Sequence, residues 1–415
     1  MNNYKDKTLS HHEVIILGAG PAGLGVAASL EGWHPYDNNG KNLLNINTKN
    51  LLDKGVRPIV HFRELHHPED NMPYGSNKFN FKKNKRVDWI ILSDDAPGGL
   101  WNNVPENQLT LGPANWMELS QYPIKQYNYD NKTDINLKEI INKKNLLSYY
   151  QKFSEKLKLN DYIHSNHKII SIHKKENGEF IIYSKFRNLK KEFSCRYLVF
   201  ALGPKSIKRQ LGVTGENFDY IKNSYTKPED FPGKNITIIG GGRSSDWAAQ
   251  ELFDSGKKIT YIMRQKEENH LRLIRESQFL DYYKRWHEII SNKEKNMTIL
   301  YESKVIRFSK NNQITYENNF KNQTTKSDHV IIEIGGLPNY DLLKNLNLEF
   351  HEKYDNYRFQ LLQMKVHQHS FESINVSNLY AGGYLAQGTG LSVIGFHAGS
   401  FLISGDIIKK IHKNN

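Results

Sequence analysis

The sequence predicts an α/β protein built from two Rossmann-like dinucleotide-binding domains, the second inserted into the first. Three observations carry that prediction. An apolar run from Val14 to Leu17 leads into Gly18, Gly20 and Gly23 and then into a small, apolar stretch to Leu30. The same order recurs where Ile236 to Ile239 lead into Gly240, Gly241 and Gly242, with residues 246–253 following at helical spacing. Two further buried-strand runs, 197–203 and 328–334, are closed by Gly203 and Gly335 and would return the chain from one domain to the other.

Each fingerprint has a physical reason. Gly18 permits a sharp turn, Gly20 lets backbone approach a pyrophosphate, and Gly23 with Ala27 allows close packing of helix on strand. The pyrophosphate would rest on the unpaired amides at the helix start, where Pro21, Ala22 and Gly23 lie and the dipole favours negative charge. In the second copy Ser245 takes the third glycine's place and Ala249 the small packing position. Two such units suggest one site for a flavin dinucleotide and one for a nicotinamide dinucleotide. The expected division is residues 1–211 and 329–415 for the FAD-binding domain and 212–328 for the NADPH-binding domain.

Composition narrows the classes. The 415 residues suffice for two or three domains, and the formal charge of +13 comes from 57 Lys and Arg against 44 Asp and Glu. These cations are scattered, so attraction of phosphate-bearing cofactors explains them better than nucleic acid, which is not expected as a partner. Cys195 is the only cysteine. It falls in a strand closing a β-meander, so a disulfide framework and a Cys-x-x-Cys redox pair are both excluded. No apolar run reaches the roughly 18 residues of a membrane span, and a cytoplasmic location is expected. No metal site is expected.

Along the chain, residues 33–84 read as a polar, loop-rich insertion with helical pieces near 42–52. The second strand of the first domain is expected at 87–93. Asp94 just past it is the candidate for the ribose hydroxyls, with Asp95 as the alternate and a plain turn before Pro97 as the structural alternative. Residues 101–129, rich in aromatics, are expected to line a pocket, with Trp101, Asn115 and Trp116 as candidates. Residues 145–159 form an amphipathic helix, and 168–174, 179–186 and 192–196 a β-meander running into the strand at 197–203.

In the second domain, the strand 258–263 ends in Arg264. A cation there is what a 2′-phosphate calls for, so NADPH is favoured over NADH. Arg243 is either a second phosphate clamp or a solvated turn residue, and Ser244 and Ser245 complete that turn. Residues 271–291 are expected to be helical. After a last strand at 378–383, Gly390, Leu391 and Ser392 open a closing helix whose amides would face the flavin; His397 on it is read as packing.

With these residues in place, the chain resembles NADPH-dependent flavoprotein monooxygenases of the two-dinucleotide-domain type. Gly98, Gly99, Leu100 and Trp101 resemble their second flavin motif, and 197–203 and 332–338 their linking motifs. Within that group it is most similar to the oxidative-stress-induced growth inhibitor family, through 32–36, 96–101 and 387–400. Residues 388–392 are also similar to amine N-hydroxylases. Two departures stand out: the linker motif before the second fingerprint lacks its histidine, and Tyr384 stands where dithiol reductases of similar fold carry an aspartate. The resemblance implies FAD reduced by NADPH, a peroxyflavin, and transfer of one oxygen atom from molecular oxygen to a small-molecule substrate, with amine N-hydroxylation one outcome. A flavin reductase or oxidase without organic product, and a non-catalytic nucleotide-responsive protein, are the rival readings. The oligomeric state is left open, a homo-oligomer included.

Overall fold

The computed structural model describes residues 10–66, 79–204, 206–354, 360–390 and 392–414. The chain divides into two compact units, one of Met1–Asn103, Gly112–Ser206 and Pro338–Asn415, the other of Val104–Leu111 and Ile207–Leu337.

The first unit is organised by the strand Ser10–Leu17, whose apolar end is wholly buried. It pairs in parallel with Trp89–Leu92 on one side and Leu189–Phe200 on the other. Leu189–Phe200 is one continuous strand of 12 residues, where the sequence suggested a meander strand followed by a separate parallel one. Its first half is antiparallel to Phe180–Phe186, and its last residues are parallel to Leu379–Ala381. Meander and parallel sheet are therefore a single seven-stranded sheet. Cys195 sits inside that strand, opposite His12 and Phe180, with no solvent exposure. Burial pushes its thiol well above the ordinary range.

The helix Pro21–Leu30 covers the sheet and is covered in turn by the closing helix Val393–Asn414. Gly25 makes the crossing close, since a Cβ there would lie 2.7 Å from Ser400 Oγ and 2.9 Å from His397 Nδ1. His397 is fully buried and its Nε2 accepts from Ser120 N at 3.0 Å, which leaves the ring proton on Nδ1.

Within the expected insertion 33–84, the described residues 33–66 and 79–84 hold more regular structure than their composition suggests. Trp33–Tyr36 pairs antiparallel with Asn80–Lys83, with Pro35 opposite Phe81 in a two-stranded ribbon that tolerates a missing N–H. Glu31, at the end of the first helix, anchors this ribbon through Lys83 Nζ at 2.8 Å and Arg86 Nε at 3.0 Å. The helix Pro58–His66 also lies in this stretch.

The second unit holds a five-stranded parallel sheet in the order Ile221–Lys222, His329–Ile332, Asn235–Ile239, Lys258–Ile262, Met297–Leu300. An antiparallel meander of Ser303–Ser309, Gln313–Asn318 and Lys321–Lys326 accompanies it. The expected helical stretch 271–291 is two helices, Glu267–Glu276 and Asp281–Ser291. Asp328 ties two strand starts together, accepting from the Lys234 and Asn235 amides at 2.8 Å each.

The placement of Cys195 has a direct consequence. The native protein is expected to show no reaction with a thiol-specific chromogenic disulfide, and one thiol per chain after denaturation. A fast-reacting thiol in the native state would contradict this packing.

Candidate nucleotide-binding sites

The first glycine turn is shaped by contacts that leave no room for side chains. Gly18 N donates to Leu92 O at 2.9 Å, and Ala201 N donates to Leu17 O at 3.0 Å. Gly18 has φ +105°, and a Cβ on it would lie 2.5 Å from the Ala201 carbonyl oxygen. At Gly23 a Cβ would collide with the Gly18 carbonyl oxygen. Gly20 caps the helix Pro21–Leu30 in an extended conformation with no side-chain bond, and no acidic residue lies in the first turn. The positive end of this helix is thus neither closed by a cap nor neutralised.

Gly98 and Gly99 pack against that turn. Gly98 N donates to Ala19 O at 2.9 Å, and Gly99, at φ +57°, would place a Cβ 2.7 Å from Gly20 Cα. A third wall comes from the end of the chain: Cβ atoms on Gly382 and Gly383 would lie 2.8 Å from Ala201 Cβ and 3.0 Å from Ala22 Cβ. Backbone without side chains converges here from three segments, a cradle that fits a pyrophosphate on the amides of Pro21–Leu30. Sequence reasoning missed Gly382 and Gly383 as part of this wall. It also missed Ser93, whose Oγ accepts from Ala19 N at 3.4 Å.

The remaining candidates of this unit separate. Asp94 is exposed and lines an open groove of about 560 Å³ with Asn166, Lys168, Lys185, Arg187 and Asn188. Asp95 is half-buried, accepts from Asn103 Nδ2 at 2.6 Å, and is pushed up chiefly by burial. Leu100 is exposed, and Trp101 is half-buried on the turn Gly99–Asn103. Asn115 is buried, while Trp116 is half-buried with its ring 2.9 Å from where a Cβ of Gly112 would be. Gly390 has φ +78°, and Ser392 Oγ accepts from Gly395 N at 3.2 Å at the start of the closing helix. Leu391 lies outside the described residues. Close to Asn115 in the sequence, Glu118 is buried and accepts from Ile124 N at 2.8 Å; burial pushes its carboxyl up to about 7.

The second turn is built differently. Gly240 abuts the Glu333 carbonyl oxygen, 2.6 Å from where its Cβ would be, and Gly242 caps the helix Arg243–Asp254. Ser245 is buried, Ser244 is half-buried, and Arg243 has its Nη1 buried without a hydrogen-bond partner. Arg264 is exposed beyond the strand Lys258–Ile262. The residue that reaches the turn from there is its neighbour Gln265, whose Nε2 donates to Gly241 O at 2.9 Å. An orphaned guanidinium nitrogen on the glycine turn and an exposed arginine after the second strand are a donor set that fits a phosphorylated nucleotide.

Comparison with known proteins adds to this geometry. A sequence model of the family described as pyridine nucleotide-disulphide oxidoreductase matches residues 79–383. Oxidative stress-induced growth inhibitor 2 of Homo sapiens is 19% identical over 450 residues, covering 90% of this chain and 88% of the relative. Among solved structures, Bacillithiol Disulfide Reductase Bdr from Staphylococcus aureus superposes with a TM-score of 0.68 at 17% identity, over 97% of this chain and 99% of the other. Ornithine Hydroxylase from Pseudomonas aeruginosa does so with 0.62 at 12%, over 97% and 100%. At these identities the structural likeness speaks for the fold.

Two outcomes follow. Gly99→Ala, with a strained φ and a Cβ against Gly20, is expected to lower the flavin retained on purification at least severalfold, read as the ratio of flavin to protein absorbance. For Glu118 the raised carboxyl keeps its proton in the folded state while the unfolded chain loses it near 4.5. Stability contributed at Glu118 is therefore fully present below pH about 4.5 and is lost as pH rises to about 7, by up to about 3 kcal/mol. Denaturant unfolding of Glu118→Gln should lack that part of the decline.

Proposed function

The chain belongs to the pyridine nucleotide-disulphide oxidoreductase family, whose members are FAD- and NAD(P)H-dependent flavoproteins, and from that premise we propose that it is an NADPH-dependent FAD monooxygenase. FAD would be held by Gly18, Gly20, Pro21, Ala22 and Gly23 with Gly98 and Gly99, and NADPH by Gly240, Gly242, Arg243, Ser244, Ser245 and Arg264. When bound, the flavin supplies the redox chemistry, taking hydride from the nicotinamide and passing electrons to oxygen. The balance is substrate + NADPH + H⁺ + O₂ giving oxygenated substrate + NADP⁺ + H₂O.

One observation carries this choice over a thiol-based reductase. The only cysteine, Cys195, is buried in the middle of Leu189–Phe200 with its thiol held protonated. The glycine turn itself carries Ala22 and no thiol. A dithiol relay to a disulfide substrate needs two accessible sulfurs, and this chain has none. The likeness to an ornithine hydroxylase makes amines the first substrate class to examine.

The roles of the chain's own residues are positional. Amides at the start of Pro21–Leu30 bind the flavin pyrophosphate, and the arginines select the phosphorylated ribose. Replacing Arg264 or Arg243 by Ala is expected to raise the KM for NADPH about tenfold, the worth of one charge-assisted bond of about 1.4 kcal/mol, with little change for NADH.

The reading is tested by measuring NADPH consumed, peroxide released and product mass with L-ornithine, L-lysine and methyl phenyl sulfide as probes. Product heavier by one oxygen, with NADPH consumed one for one and little peroxide, supports it. Peroxide equal to NADPH with every probe would instead favour an oxidase.

A further inference from the structure

The two glycine turns differ in what holds their amides. In the second, Ser245 Oγ accepts from Gly241 N at 2.8 Å and Gly242 N at 3.0 Å, so two of the donors the turn could offer are engaged within the protein. The Tyr261 hydroxyl lies 2.7 Å from Ser245 Oγ and 2.7 Å from Asp246 Oδ1. Asp246, in the first turn of Arg243–Asp254, is fully buried. Its Oδ1 also meets His270 Nε2 at 3.0 Å, its Oδ2 accepts from the Tyr283 hydroxyl at 2.8 Å, and its carbonyl accepts from Trp286 Nε1 at 3.0 Å. His270, also fully buried, reaches the Tyr301 hydroxyl through Nδ1 at 3.1 Å.

The Tyr283 ring carries the next link, with the Arg243 guanidinium 5.3 Å from its centroid. Burial first, and then the Asp246 carboxylate, push the Tyr261 and Tyr283 hydroxyls well above the ordinary range, so both remain donors. A buried carboxylate with several partners is an expensive way to fill a core, and an apolar residue of similar volume is often at least as stable. Such a network ties its members to one another through shared hydrogen bonds.

We propose that Asp246 is a positioning residue for the nicotinamide nucleotide, setting the glycine turn through Tyr261 and Ser245 and the Arg243 guanidinium through Tyr283. This rests on the reading of the second turn as the NADPH site. With two turn amides engaged by Ser245, phosphate recognition shifts onto Arg243, whose placement then depends on a carboxylate that never touches the ligand. The first turn, with no such plug, needs no equivalent, and sequence reasoning passed over Asp246 as one residue of a helix.

Calorimetric titration of the purified protein with NADP⁺ tests this, with Asp246→Asn, Tyr261→Phe and Tyr283→Phe beside the wild type. The dissociation constant should rise about tenfold in the first and about threefold in each of the others. With NADPH as reductant the KM should follow while kcat stays within twofold, and flavin content should not change. Unchanged NADP⁺ affinity in variants of wild-type melting temperature would overturn the proposal, as would a fall in kcat at constant KM. Should Asp246→Asn not fold, the two Tyr→Phe variants, each lacking one hydroxyl, decide. Failure of the wild type to bind NADP⁺ would defeat the NADPH reading itself; wild-type binding with unaffected variants defeats only the role of Asp246.

Discussion

Gly18 is the residue on which the first unit depends. The strand Ser10–Leu17 is held on both sides, by Trp89–Leu92 and Leu189–Phe200, and the chain must leave it without disturbing either partner. It leaves at φ +105°, pressed against the Ala201 carbonyl oxygen, a path open to glycine alone. The backbone segments that converge on this turn are set by that exit. The helix Pro21–Leu30 starts where the turn ends, Gly98 bonds to Ala19, and Gly382 and Gly383 close on Ala201 and Ala22. A larger residue at any of these contacts would press on the neighbouring backbone or side chain.

The second turn repeats the outline with another internal economy. Its helix begins with Arg243 rather than Pro21, its third-glycine position is a serine that turns back on the loop, and an aspartate occupies the first turn. An acidic group at a helix start competes with an incoming phosphate unless it is turned inward and paired. Asp246 is turned inward, among Tyr261, His270 and Tyr283. The same local motif therefore has an uncapped, uncharged helix start in one unit and, in the other, a helix start that carries a buried aspartate beside an arginine. The family's name points to disulfide chemistry, whereas the one cysteine of this chain is buried inside the strand Leu189–Phe200.

Much of the fold was legible because apolar runs ending in glycine have few other uses. The strands at Val14, Val199, Ile238 and Val330 and the two helices after the fingerprints were visible that way, and the strand at Ile90 from its apolar run ahead of Asp94. Other elements were hidden, and two show why. Lys321–Lys326 is an edge strand of wholly polar residues, with no alternation to read, and the ribbon at Trp33–Tyr36 is punctuated by Pro35. At the sites, the glycines were readable from spacing, whereas contacts between distant segments were not. Gln265 rather than Arg264 touches the second turn, and Gly383 reaches Ala22, because of crossings that no local pattern encodes. The one available clue to Asp246 was a carboxylate on the helix that also carries Ala248, Ala249 and Leu252 inward.

Hydrogen exchange read by mass spectrometry, with FAD and NADP⁺ added separately and together, tests most directly that the chain carries two distinct nucleotide sites. The account requires FAD to slow exchange in peptides spanning 18–24 and 97–101, and NADP⁺ to slow it in those spanning 240–246 and 263–266, each without needing the other. Protection of the same peptides by both nucleotides, or no response of residues 240–246 to NADP⁺, would contradict it.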